Sequence, residues 1–164
     1  MSPRDVAKVL CTTVFLATAP TPSAAEPAPP ESPRAKEVKA LVEKAAALID
    51  QHGKSAFAEF RRPNSEWFHG DTYLFSYDMN GNVLLNPAVP KREGTNPAAQ
   101  GERDKTGKPF HAAILETAKL KGSGWVDYWL PKPGQTEPSH KWTYVKRVTI
   151  DGVPGLIGAG FYES

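Results

Sequence analysis

Histidine, serine, cysteine and paired carboxylates carry most catalytic and metal chemistry, and here none of them falls into a pattern that does so. The four histidines, His52, His69, His111 and His140, are scattered at spacings that match no zinc signature. No Gly-x-Ser-x-Gly elbow is present. Ser123 stands between Gly122 and Gly124 just ahead of a strand-like segment, where a turn accounts for it better than a nucleophile does. Asp78-Met79-Asn80-Gly81-Asn82 offers oxygen ligands, but a calcium loop alternates them over about 12 residues and closes on a distal glutamate, so a hairpin turn is the better reading. Acidic residues are spread as on any soluble surface, and no acid and base pair can be singled out. No catalytic residue, metal or cofactor is therefore expected, and the remaining chemistry is that of reversible recognition.

The elements that would position such groups can be read from periodicity. Across residues 34–62 the apolar positions Val38, Leu41, Val42, Ala45, Leu48, Ile49, Ala56, Phe57 and Phe60 recur at three- and four-residue spacing, one apolar helical face. Gly53 should break or kink this helix and Pro63 should end it. Residues 72–78 and 83–86 form a hairpin through Asn80-Gly81, which tolerates positive φ. Residues 87–107 are a long irregular stretch of the kind that covers ligands in compact domains. A second helix runs over about residues 109–121, with Pro109 in its first turn, Gly122 after its last, and Phe110, Ile114, Leu115 and Ala118 on its inner face. Residues 125–130, 141–149 and 155–162 are three alternating, aromatic and β-branched strands separated by Pro131-Lys132-Pro133-Gly134 and Asp151-Gly152. The third carries Gly155, Gly158 and Gly160, which remove side chains where a ring, a backbone or a ligand must come close. Helices gathered on one antiparallel sheet define an α+β domain. It resembles a PAS-like fold of five strands with a long N-terminal helix and a short helix on the sheet.

Residues 1–25 read as a secretory signal peptide: Arg4 and Lys8, an apolar run from Val9 to Ala19, and the small-x-small site Ser23-Ala24-Ala25. The run is too short for a membrane span, which needs about 20 residues. Cys11, the one cysteine, would leave with this leader, so the mature chain has no disulfide and no thiol chemistry. Residues 26–34 form a proline-rich linker, and residues 35–164 form one domain. Without Arg4, Lys8 and Asp5, the 20 basic and 18 acidic residues become 18 and 17, a net charge of +1. Such balance gives no case for nucleic acid or an anionic membrane surface as partner. A periplasmic or secreted protein is expected.

Several ordered blocks carry a family resemblance. Gly70-Asp71-Thr72-Tyr73-Leu74-Phe75-Ser76-Tyr77-Asp78 with Gly81 and Asn86-Pro87 is followed by Gly94-Thr95-Asn96 and Asp104-Lys105-Thr106-Gly107-Lys108. Gly122-Ser123-Gly124-Trp125-Val126-Asp127-Tyr128, Pro131-Lys132-Pro133, Lys141-x-Thr143-Tyr144-Val145 and Gly158-Ala159-Gly160-Phe161-Tyr162 complete the series. Over roughly residues 35–163 the chain resembles the single Cache domain family of bacterial extracytoplasmic sensors, type 2. The resemblance implies a cupped antiparallel sheet, closed by the loop and the short helix, that holds a small ligand, often a short organic acid. It departs from the family at Asn86-Pro87, where many members have His-Pro, and at Leu130, where many have tryptophan. Receptors of the family continue into a transmembrane helix and a transmitter domain, whereas this sequence stops at Ser164.

A small carboxylate loses strong hydration on burial, so such a cup must return charge-assisted and neutral hydrogen bonds. Lys141 is the best candidate cation, because it opens a strand among aromatic neighbours; the competing role is a lysine that protects a sheet edge. Tyr73, Tyr77, Trp125 and Tyr144 are candidates for walls and donors, each equally suited to a plain core position. His69 and Asn86, near strand ends, are candidates for the mouth. Tyr73, Phe75 and Tyr77 share one face of their strand, and Lys141 and Thr143 share a face opposite to Trp142 and Tyr144, so Lys141 and Tyr144 cannot both enter the cup without a bulge.

The expected function is a free-standing, non-enzymatic sensor domain that binds a small metabolite and presents the bound state to a membrane-bound kinase, chemoreceptor or transporter component. The wide apolar face of the long helix would also suit a homodimer, although packing on its own sheet uses that face first. Two rivals stay open. One is a structural adaptor without a ligand, which a collapsed cup would favour, and the other is a small periplasmic hydrolase using the same cleft with a carboxylate base.

Overall fold

A computed structural model describes residues 31–163. The expected leader, with Cys11, and the linker residues 26–30 lie outside the described residues. The first helix, α1 (Pro33–His52), begins two residues before the expected domain start. Ser32 is its N-cap, its hydroxyl accepting from the Ala35 amide at 3.2 Å, and Pro33 takes the first helical position, where a missing N–H costs nothing. The buried face is Ala35, Val38, Val42, Ala45, Ala46 and Ile49. At Gly53, with φ of 58°, the helix stops, and a Cβ there would stand 1.7 Å from Oδ1 of Asp151. The chain continues through a 3₁₀ turn, Gly53–Ala56, into the short α2 (Phe57–Phe60). Phe60 packs on Trp67 with ring centroids 4.9 Å apart, which closes the end of the core.

The strands are β1 (Phe68–His69), β2 (Thr72–Asp78), β3 (Val83–Leu85), β4 (Ser123–Pro131), β5 (Pro138–Ile150) and β6 (Val153–Tyr162). All pair antiparallel, in the order β3-β2-β6-β5-β4. The two-residue β1, which periodicity does not reveal, pairs with the start of β2 and adds a sixth strand to the five expected. The last three strands are longer than the sequence pattern suggests, because β5 keeps pairing with both neighbours beyond its alternating stretch. Placing the chain-terminal strand β6 between β2 and β5 makes this a PAS-like α+β sheet.

Alternation divides the sheet into two cores. One face packs under α1 through Leu74, Trp142, Tyr144, Val148, Ile150, Ile157, Ala159 and Phe161. The other carries Tyr73, Phe75, Tyr77, Val126, Tyr128, Val145 and Leu156 beneath α3 (Phe110–Lys121). Helix α3 buries Phe110, Ile114, Leu115 and Ala118 as its spacing predicts, and His111 with them.

Residues 87–107 are held without strands. The Gly94 amide donates to the Val83 carbonyl and the Val83 amide to the Thr95 carbonyl, each at 2.9 Å. Arg61 grips Glu93 with both guanidinium arms at 2.6 and 2.8 Å, and Glu93 also accepts from the Asn86 amide at 2.8 Å. Arg92 and Glu102 form a second two-pronged pair, both bonds 2.8 Å. Among the described residues no helix is long and apolar enough to cross a membrane.

Candidate functional site

On the α3 face of the sheet a cavity of about 360 Å³ opens. Its floor is Tyr73, Phe75 and Tyr77 of β2, which alternation points to one side. Tyr128 and Leu130 of β4 and Phe110 and His111 of α3 form its walls. The cover comes from Asn86, Val89, Lys91 and Arg92 after β3 and from residues 131–135, the β4–β5 turn. Three cationic side chains, Lys91, Arg92 and Lys132, line it, and no carboxylate does. Phe110 stacks on Tyr128 at 4.4 Å between ring centroids and fixes the aromatic wall.

Lys141 is 1% exposed and is not among the residues that line the cavity; it lies behind Tyr73, on the β5 face it shares with Thr143 and Val145. Its ammonium donates to the Tyr73 hydroxyl at 3.0 Å and stands 4.4 and 4.9 Å from the ring centroids of Tyr73 and Tyr162. Among the described residues no carboxylate is within ion-pairing range of it. Burial works against its charge, but the phenol oxygens of Tyr73 and Tyr128 and the Asp71 carboxylate outweigh that and hold its pKa above the ordinary lysine value. Glycines make the space for it: a Cβ at Gly160 would meet Cε of Lys141 at 2.7 Å, and one at Gly158 would meet the Phe75 ring at 2.6 Å.

The candidate residues thus separate. Tyr73, Tyr77 and Asn86 line the cavity, and Lys141 stands behind Tyr73. Asn86 is also structural, its side-chain oxygen accepting from the Val89 amide at 3.0 Å. Trp125 and Tyr144 are corrected out of the site. Their strand positions point them to the α1 face, where their rings pack at 5.3 Å and the Tyr144 hydroxyl donates to Glu43 of α1 at 3.1 Å. His69 is also outside, since β1 places it beside Arg34, Glu37 and Thr72 in a separate groove, with its Nδ1 2.9 Å from the Ser65 carbonyl oxygen.

Tyr128, Arg92 and His111 are site residues that sequence reasoning missed. Tyr128 was legible, because it shares a strand face with Val126 and is opposite to Trp125. His111 was legible too, since its spacing to Ile114, Leu115 and Ala118 is the helical i, i+3, i+4, i+7 pattern. Only the fold brings Arg92 here. His111 is 4% exposed; its Nδ1 is 3.0 Å from the Tyr77 hydroxyl, and its Nε2 is the one buried side-chain polar atom without a hydrogen-bond partner among the described residues. Burial lowers the His111 pKa to about 4, so the ring is neutral at pH 7. Arg92 holds the Glu102 carboxylate below its usual range.

A cupped PAS-like sheet with a cation-lined cavity under a loop and a short helix is the architecture of a Cache-type sensor domain. The chain belongs to the Cache domain family, whose model matches residues 35–164. It is 30% identical over 92 residues to the methyl-accepting chemotaxis protein McpP of Pseudomonas putida, a match that covers 56% of this chain and 16% of that protein. A solved periplasmic sensor domain of a chemotaxis protein is similar at 27% identity and a TM-score of 0.65, covering 80% of this chain and 95% of that one. A Cache chemosensory domain whose structure is described as the basis for carboxylic acid recognition has the same fold, with 23% identity, a TM-score of 0.66, and coverage of 79% of this chain and 92% of that one.

Proposed function

We propose that this domain binds a small organic acid in the cavity between β2, β4 and α3 and conveys occupancy to a partner. The observation that carries this function is the ammonium of Lys141, 1% exposed, bonded to the Tyr73 hydroxyl and short of a counter-ion. An isolated buried charge is expensive, and a ligand carboxylate on the cavity side of the Tyr73 hydroxyl would offset part of that cost. The cation-rich, carboxylate-free lining supports the same sign of ligand. So does the described carboxylic acid recognition of a Cache domain with this fold. A cavity of this volume under residues 87–107 favours a sensor over an adaptor with a collapsed cup.

Tyr73 would pass its hydroxyl between ammonium and ligand, while Phe75, Phe110 and Tyr128 pack on the ligand's carbon skeleton. We assign no catalytic step to the site. The protein would work in the periplasm or outside the cell after removal of residues 1–25, and its partner would be a membrane-bound kinase, chemoreceptor or transporter component. The test is a thermal-shift screen with one- to six-carbon acids, amino acids and amines, repeated on Lys141→Met. A ligand present at 100 times its Kd stabilises by about 2.7 kcal/mol, enough to move the melting temperature by several degrees. A hit among the acids that Lys141→Met abolishes supports the proposal. Hits among amines alone, or acid hits indifferent to that substitution, would sink it.

A further inference from the structure

Three charged or polarisable groups beside the cavity form a chain that acid binding as such does not require. Arg92 lines the cavity and is gripped at both arms by Glu102, with two bonds of 2.8 Å. Both residues belong to the covering loop, and each is about 30% exposed at its side chain. On the far side of the same carboxylate, Nε2 of His111 stands 3.4 Å from Oε2 of Glu102, within reach but without the alignment of a good hydrogen bond. A buried ring nitrogen left so poorly partnered is costly, so its position beside a carboxylate calls for a reason.

Resting on the acid-binding function proposed above, we infer that Arg92 contacts the ligand, that Glu102 is its built-in competitor, and that a bound acid takes the guanidinium fork while Glu102 turns to Nε2 of His111. The guanidinium is a rigid planar fork that recognises a carboxylate two-pronged. Glu102 already presents that head group from within the chain, so the ligand that competes for Arg92 must carry a carboxylate as well. The displaced Glu102 oxygen needs a donor, and Nε2–H is the nearest unused one. The tautomer agrees, because Nδ1 can accept from the Tyr77 hydroxyl, 3.0 Å away, leaving the ring proton on Nε2.

The exchange keeps one charged pair at Arg92 and gives the displaced carboxylate the His111 Nε2–H donor, which offsets part of the cost of parting Glu102 from Arg92. It also tells the loop that the cavity is filled, since Arg92 and Glu102 lie ten residues apart within it. The groups facing His111 are then Tyr77 of β2 and Arg92 and Glu102 of the loop. Bringing Glu102 closer favours the protonated ring.

Acetate, the smallest carboxylate with the glutamate head group, is the probe. The Nε–H signal of Arg92 and the ring nitrogens of His111 are followed by NMR during an acetate titration of the wild-type protein, and the affinity is compared with that of Glu102→Gln. The inference expects both sets of signals to move in the wild type and Glu102→Gln to bind roughly tenfold more tightly, because the competitor has lost its charge. Acetate binding that leaves Arg92 unmoved, or that Glu102→Gln weakens or leaves unchanged, overturns the exchange and spares acid binding. If neither protein binds acetate nor any other acid of the panel, both proposals fall. The wild-type readout needs no variant to fold.

Discussion

Gly160 and Lys141 lie diagonally across β6 and β5, and a Cβ on the glycine would stand 2.7 Å from Cε of the lysine. The missing side chain is thus what allows a lysine to be laid flat across a sheet and buried to 1% exposure. In Gly160→Ala the new methyl would also meet the Thr143 hydroxyl at 2.5 Å and the Trp142 carbonyl at 2.6 Å. Backbone cannot yield as a flexible side chain can, so the substitution should cost about 1–3 kcal/mol. Urea melts measure it, and an unchanged midpoint would show that the strand adjusts freely.

Lys141→Met should separate stability from binding. Methionine fills nearly the same volume beside Gly160 and removes a buried ammonium that the described carboxylates do not pair. Replacing buried charge by apolar volume is often neutral or stabilising by about 1–4 kcal/mol. The expected result is an equal or higher melting temperature together with loss of the acid-induced shift. A variant that melts well below the wild type would mean that the ammonium is a structural centre of Tyr73, Tyr128 and Tyr162 instead.

Much of this arrangement was legible in the sequence, and the part that was not is a matter of parity and distance. The breaks at Gly53, Asn80-Gly81 and Gly122, and the inner face of α3, follow from local chemistry alone. Alternation showed that Lys141 and Tyr144 oppose one another, but only the pairing of β5 with β6 tells which of the two faces α3. Trp125 and Tyr128, three positions apart on β4, are legible as lying on opposite faces, but which face is the cup's is set only by the packing of α1 and α3 on the sheet. Arg92 sits in an irregular loop whose course is set by Arg61, Glu93 and Glu102, residues up to 41 positions apart in the chain. No periodicity encodes such a path.

The start of that loop depends on Glu93, which accepts both arms of Arg61 and the backbone amide of Asn86. Glu93→Ala leaves the Asn86 amide unmet and frees Arg61. About 1–2 kcal/mol of stability should be lost, more than an ordinary exposed ion pair contributes. Hydrogen exchange should accelerate over residues 86–95 and stay unchanged in β5. Uniform acceleration through the whole sheet would instead show that the contact supports the global fold.

His111 and His140 should give the stability opposite pH dependences. His111 is buried and its pKa is lowered to about 4, so the unfolded chain, with an ordinary value near 6.5, binds the proton first. Stability contributed by the neutral ring is complete above about pH 6.5 and is lost as pH falls towards 4, a loss on the order of 3 kcal/mol. His140 is the reverse case. It sits between Glu163, 2.6 Å from Nδ1, and Asp127, 3.1 Å from Nε2, and despite its partial burial these carboxylates raise its pKa. Its contribution is complete below about pH 6.5 and disappears as pH rises through the elevated folded value. His140→Gln should therefore be more destabilising at pH 6 than at pH 9, by denaturant melts at about equal ionic strength. The wild type should still lose stability from pH 6.5 to 4 in that variant, because His111 remains. Ring-proton titrations assign the two effects, and a His111 signal that titrates near 6.5 would remove the acid-side prediction.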